Sequence, residues 1–239
     1  MRALLRIGLL SGLAAGTTLA ACLATFGRAP LRDALALEHN STHDRGTAVH
    51  DELFSRGVQE IGGAIGLIVF GVALGVIFTI VLGVVAQHLS GRSAVAGAAQ
   101  FALIGFVAVV LVPFLKYPGN PPGVGNPDTV NERTLQYFAV LAFSIVLVLF
   151  VWQVRRRSQL GPAPLAWLTV GIYGCGLLAI FLGFPANPDP VAISADLVWR
   201  FRLSSLGGLA SGWTVMALTA GTLLGRLDRH RDDQPVTFS

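Results

Sequence analysis

Val58 to Ala86 reads VQEIGGAIGLIVFGVALGVIFTIVLGVVA, and after Glu60 not one of its residues is ionisable. A helix needs roughly 20 such residues to cross the hydrocarbon of a bilayer, and this run exceeds that length. Backbone amides in lipid have no water to bond, so only a helix or a closed barrel satisfies them. The alternation of a membrane strand is missing here, so the run reads as a helix. The same test picks out Leu4 to Phe26, Val95 to Phe114, Leu135 to Val154, Leu165 to Phe184 and Phe201 to Leu224.

Bulk composition agrees. Of 239 residues, 53% are apolar and 13% charged, whereas a soluble domain carries about 25% charged residues. So few charges cannot cover a water-facing surface. The expectation is an all-α integral membrane protein of about six transmembrane helices, forming a single membrane domain over residues 1–239. Its basic residues are scattered arginines with a single Lys116, not the patch interleaved with aromatics that nucleic acid requires. Cys22 and Cys175 both fall inside apolar runs, where neither a disulfide framework nor a thiolate metal site is expected.

Six spans put both termini on one side. Arg2, Arg6, Arg92, Arg155, Arg156, Arg157, Arg226, Arg229 and Arg231 fall on that side, in short segments. Short basic segments stay in the cytoplasm, so both termini are expected there. The opposite side holds most of the 13 acidic residues. The first span, with Arg2 and Arg6 ahead of an apolar run, has the outline of a signal peptide, and Leu19-Ala20-Ala21-Cys22 has that of a lipoprotein cleavage site. Against removal stand Gly8, Gly12 and Gly16, spaced to form one face as closely packed membrane helices require. The expectation is a retained helix.

Two stretches nearly copy each other: FLKYPGNPPG from Phe114 and FLGFPANPDP from Phe181. Phe114 aligns with Phe181, Pro118 with Pro185, Asn120 with Asn187, Pro121 with Pro188, and Arg133 with Arg200. Each unit runs helix, proline-broken turn, arginine, helix, in the same orientation. The reading is a parallel internal repeat of helical hairpins, residues 95–154 and 165–224, as repeats in transporter folds suggest. Pro118 and Pro185 end their helices and bias the preceding residue to extended geometry. Thr129-Val130-Asn131-Glu132 has the spacing of a capping box opening the fourth helix, and Ser194 or Asp196 can cap the sixth. Two readings stand for the turns. Either they are rigid helix terminators, or Asn120, Asn187, Asp128 and Asp196 line a vestibule for a cation. Arg133 and Arg200 either snorkel to the headgroups or pair with acids as gating residues.

The polar loop, residues 27–57, carries Glu38, His39, His43, Asp44, His50, Asp51 and Glu52. His39 and His43 share a face on a helical turn, and imidazole with carboxylate suits cobalt, nickel or zinc better than calcium or magnesium. No thiolate lies near, so an exchangeable capture site fits better than a closed structural one. A solvated loop without a ligand is the alternative. Glu60 is the acid nearest a span interior, and Arg56 is four residues away, a pairing distance on a helix. There is no GxxxxGK[ST] nucleotide signature, no HExxH and no Ser-His-Asp arrangement. An enzyme is not expected, and no bound cofactor is implied.

Several of these stretches together, GRAPLRDALALEHNSTHDRG, HDELFSRGVQEIGGAIG, LVPFLKYPGNPPGVGNPDTVNERTLQYF and DLVWRFRLSSLGGLASGW, resemble the CbtA family of probable cobalt transporter subunits. The resemblance covers nearly the whole chain. It implies a multi-pass protein of the bacterial inner membrane with five or six helices, with Co²⁺ as substrate and a role in cobalamin supply. It also implies a small single-span partner, CbtB, bearing its own histidines. The matching positions are Glu38 and the histidine segment after it, Arg56 with Gln59, Pro118 to Pro122, Asn126 to Asp128, Arg133, and Trp199 to Phe201. The histidine loop is sparser here than the dense His-Glu run of other members.

The competing class is a non-transporting membrane scaffold, its glycine-lined helices serving partner or oligomer contacts. If the doubled turns share one face of the membrane, single cysteines at positions 120 and 187, in a chain lacking Cys22 and Cys175, will react with an impermeant reagent from the same side. Labelling from opposite sides would remove the shared vestibule.

Overall fold

The computed structural model describes residues 1–33, 56–86, 93–121, 124–187 and 193–232. Regular structure among the described residues is helical throughout. Helix α1 covers Arg2–Asp33, with a π-turn at Leu23–Gly27. It is followed by α2 (Arg56–Val85) and by α3 (Ala94–Lys116), which has a second π-turn at Val107–Leu111. A 3-10 turn at Pro127–Thr129 leads into α4 (Val130–Arg157), then α5 (Pro162–Gly183) and α6 (Ala195–Asp232). Five of these, α1 to α5, are long and apolar enough to cross a membrane. The sixth expected span lies inside the 38-residue α6, where Ser204, Ser205, Gly207, Gly208, Ser211 and Thr214 dilute its apolar content. Large apolar side chains such as Leu10, Val69, Leu149, Trp167 and Leu182 are exposed along the helices. That outward apolar surface is what lipid, as the solvent, calls for.

The chain divides into two compact units, one of residues 1–103 and 195–239, the other of residues 104–194. The first is organised by α1. Its glycine face, legible in the sequence, presses on α2: a Cβ at Gly12 would lie 2.6 Å from the Val72 Cα, and one at Gly16 2.6 Å from the Ile68 Cα. The fit is reciprocal, since a Cβ at Gly71 would lie 2.5 Å from the Gly16 Cα. Backbone meets backbone, which only glycine permits, and dispersion replaces the hydrophobic drive that lipid does not supply. The buried Thr79 hydroxyl bonds the Gly75 carbonyl at 2.9 Å and lies 3.3 Å from the Leu4 carbonyl across the interface. On another side α1 meets α6, where Gly212 faces the Leu19 side chain. Phe78 of α2 completes the core, 5.1 Å from Phe101 and edge-on to Trp213 at 6.3 Å.

In the second unit Val112, Val140 and Ile180 are buried together, with Leu147, Leu177, Tyr117 and Phe184 packed around them. The π-turn before this core has a covalent cause. Pro113 offers no N–H, and its ring would strike the carbonyl four residues back. The Val112 N–H accordingly reaches the Val107 carbonyl, one residue further than an α-helix would allow.

Both proline expectations hold. Tyr117, before Pro118, leaves the helix at φ −129°, ψ 75°, and Phe184, before Pro185, at φ −91°, ψ 139°. The capping box does not form. Thr129 stands at the N-cap of α4 as expected, but its hydroxyl donates to the Asn126 carbonyl at 2.9 Å and the Glu132 carboxylate takes the Gln136 amide instead. The Thr129 hydroxyl thus serves the turn as a donor and accepts no helix N–H as a cap.

Replacing Gly12 by Ala should destabilise the protein by about 1–3 kcal/mol, an overpacking cost without a yielding neighbour. Gly66→Ala should be neutral or slightly stabilising, because a Cβ there meets no described atom within 4 Å and alanine is the better helix former. Thermal unfolding of the two variants in one detergent checks the contrast.

Candidate functional site

Charged side chains gather where α1 ends and where α2 and α6 begin. Glu60, on the first turns of α2, is bonded by Arg28, and Arg32 lies 3.5 Å from its other oxygen. Arg200, on α6, donates from Nε to Asp196 at 2.9 Å and lies 3.5 Å from Asp33 through Nη2. All these side chains are between 40% and 77% exposed. Pairs so open to solvent contribute little to stability, on the order of 0–1 kcal/mol each. Their effect is on charge: the carboxylates of Glu60, Asp33 and Asp196 each face a guanidinium. Two expected site residues, Asp196 and Arg200, are thus brought together, one helical turn apart.

Glu60 has two partners on α1 that the sequence reading did not name. Arg56, expected four residues away, has its side chain outside the described residues, and the pairs seen are to Arg28 and Arg32. Hydropathy ends the first span at Phe26, where charges return. The helix continues to Asp33, and this extension places Arg28 and Arg32, one turn apart, where both reach Glu60. The missed signal was this i, i+4 arginine pair directly after an apolar helix.

The second unit holds the doubled turns. Lys116, the chain's single lysine, donates from Nζ to the Phe184 carbonyl at 2.6 Å and the Phe181 carbonyl at 3.0 Å. These carbonyls close the last turn of α5, where a cation opposes the negative end of the helix dipole. The Tyr117 hydroxyl donates to the Pro185 carbonyl at 2.8 Å. Burial pushes the Tyr117 phenol above its usual range, so it remains a donor through neutral pH. The first proline turn is therefore clamped to the second. Sequence reasoning counted Lys116 only as a charge; its uniqueness beside an apolar run was the available clue.

Arg133 folds back over its own turn. Its Nη2 donates to the Asn126 carbonyl at 3.0 Å, across Gly125, whose φ of 117° belongs to glycine. The Asn126 side chain accepts the Asp128 N–H at 3.0 Å. Asp128 and Asn187 are exposed, and Asn120 is half-buried. The proposed ligands Glu38, His39, His43, Asp44, His50, Asp51 and Glu52 lie outside the described residues. Among the described residues no three His, Cys, Asp or Glu side chains converge as a metal would require.

The fold and these helix-end charges define a multi-pass helical membrane protein with ionised groups at its span ends. The family model described as probable cobalt transporter subunit (CbtA) matches residues 1–225, and the chain belongs to that family. No curated protein and no solved structure matches it.

Lys116→Met should cost about 1–2 kcal/mol, the loss of charge-assisted hydrogen bonds to two carbonyls. Hydrogen exchange should speed up at the C-terminal end of α5, while Lys116→Arg keeps most of the protection. Unchanged exchange in Lys116→Met would mean the clamp is not formed in solution.

Proposed function

We propose that this chain is the membrane subunit of a bacterial inner-membrane importer that brings in Co²⁺ for cobalamin biosynthesis. The family match over residues 1–225 carries this reading. Both termini are assigned to the cytoplasm, and the segment between Asp33 and Arg56 to the outer face. There Glu38, His39, His43, Asp44, His50, Asp51 and Glu52 would capture the hydrated dication through imidazole and carboxylate, ligands matched to cobalt. The helix ends that flank this segment bear the paired acids Asp33 and Glu60, with Asp196 joined to Asp33 through Arg200, which supports a cation route beginning there.

The route residues in this reading are Glu60, Arg56, Asp196 and Arg200 in one unit, and Asn120, Asn187, Asp128 and Arg133 in the other. The Lys116 and Tyr117 bonds between the two turns support a duplicated hairpin whose copies act together. With no nucleotide-binding signature in the chain, energy comes from a gradient or from another subunit. A small single-span, histidine-bearing subunit of the CbtB kind is the proposed partner.

One observation favours a second reading, a non-transporting scaffold. A Cβ added at Gly62, Gly63 or Gly66 on α2 would meet no described atom within 4 Å, so this face is a surface suited to another helix. Liposomes containing the purified chain, with and without the small partner, separate the two by whether cobalt accumulates.

Changing His39, His43 and His50 together to Ala should reduce radioactive cobalt uptake about tenfold at limiting cobalt in cells without other importers, in line with loss of outer ligands. Uptake at saturating cobalt should change little. Equal uptake at low cobalt would end the capture role.

A further inference from the structure

A groove of about 510 Å³ runs between α1 and α6, lined by Cys22, Phe26, Pro30, Arg200, Gly207 and Ser211 among others. Its volume falls within the roughly 300–1,000 Å³ typical of ligand pockets. Its lining on α6 extends from Arg200 to Ser211. From Arg200 to Ser211 the helix rises about 16 Å at 1.5 Å per residue, about half of the ~30 Å hydrocarbon core. The groove is therefore one leaflet deep, and its lining is overwhelmingly apolar apart from the arginine at its mouth and the serines of α6. The floor is shallow because α6 places Gly207 and Gly208 there. A Cβ at Gly208 would touch Cys22 at 3.5 Å, whereas one at Gly207 would meet no described atom within 4 Å.

The mouth is polar and carries both signs. Arg200 directs Nε to Asp196 and one Nη2 donor to Asp33, and a guanidinium has five N–H donors. Its remaining fork suits a phosphate, while Asp33 and Asp196 on either side suit an ammonium. An anionic headgroup has no cation to offer the two carboxylates. A headgroup carrying a phosphate and a primary ammonium satisfies all three.

We propose that the groove between α1 and α6 is a binding site for a zwitterionic glycerophospholipid of the phosphatidylethanolamine class, its phosphate on Arg200, its ammonium between Asp33 and Asp196, and an acyl chain along Gly207 toward Ser211. A quaternary choline headgroup has no N–H to donate to the carboxylates and binds less well.

The test is native mass spectrometry of the purified full chain given equal amounts of phosphatidylethanolamine, phosphatidylcholine and phosphatidylglycerol. The ethanolamine lipid should be retained about tenfold over the choline lipid, the worth of one charge-assisted hydrogen bond. Gly207→Leu fills the groove without a clash and should reduce retention of all three about tenfold while the thermal midpoint stays at or above that of the unaltered chain. R200Q should lower retention of all three, and D33N should remove only the preference for ethanolamine. Full retention by Gly207→Leu overturns the proposal, as does preferential retention of phosphatidylglycerol. Crosslinking from Ser211 to a second copy of the chain in place of lipid also overturns it. Should R200Q fail to fold, the Gly207→Leu comparison decides alone.

Discussion

Two helices in hydrocarbon gain nothing by hiding apolar side chains from each other, since lipid already surrounds them with carbon. What holds α1 to α2 is the closeness of their backbones, and that closeness depends on Gly8, Gly12 and Gly16 meeting Gly71 and Gly75. Once α1 is fixed against α2, its other side can receive α6 through Leu19 and Gly212. The end of α1 then carries Arg28, Arg32 and Asp33 to the places where Glu60 and Arg200 stand. The charged cluster is thus a consequence of the glycine face. Exposed ion pairs of this kind could not assemble three helices by themselves.

The second unit solves a different problem. Its proline turns break helices at Lys116 and Gly183, and a broken helix leaves carbonyls without amides to bond them. Lys116 and Tyr117 satisfy the far end of α5, and the Asn126 carbonyl is taken up by Thr129 and Arg133. Each of these polar side chains supplies a donor to a backbone carbonyl at a broken helix end or in the turn that follows it.

The spans were legible because length and lack of charge are local properties, and the glycine face because its spacing is local too. The proline-ended helices were legible for the same reason: ring sterics act on the adjacent residue. What stayed hidden were partners distant in sequence and the bonding of a hydroxyl with more than one group in reach. Glu60 bonds residues of another helix, which i, i+4 arithmetic cannot find. Thr129 turns its hydroxyl proton to the Asn126 carbonyl, a bond within the turn that the capping-box spacing does not reveal. The extension of α1 beyond Phe26 was hidden because hydropathy treats an arginine as the end of a helix, when it can equally be the polar end of one.

An acid already bound to arginine differs from a free acid as a cation ligand. To take up a dication, Glu60 must lose Arg28 and Arg32, and Asp33 and Asp196 must lose Arg200. Since these pairs are half-exposed, each exchange costs little, yet it frees a guanidinium on a helix end that has been held by it. A ligand that bound the carboxylates more tightly than the arginines do would release those guanidinium groups, because binding moves an equilibrium only by its differential affinity for the two states. Such an exchange would leave the packing of α1 on α2 in place, since the glycine contacts and not the exposed pairs hold those helices together.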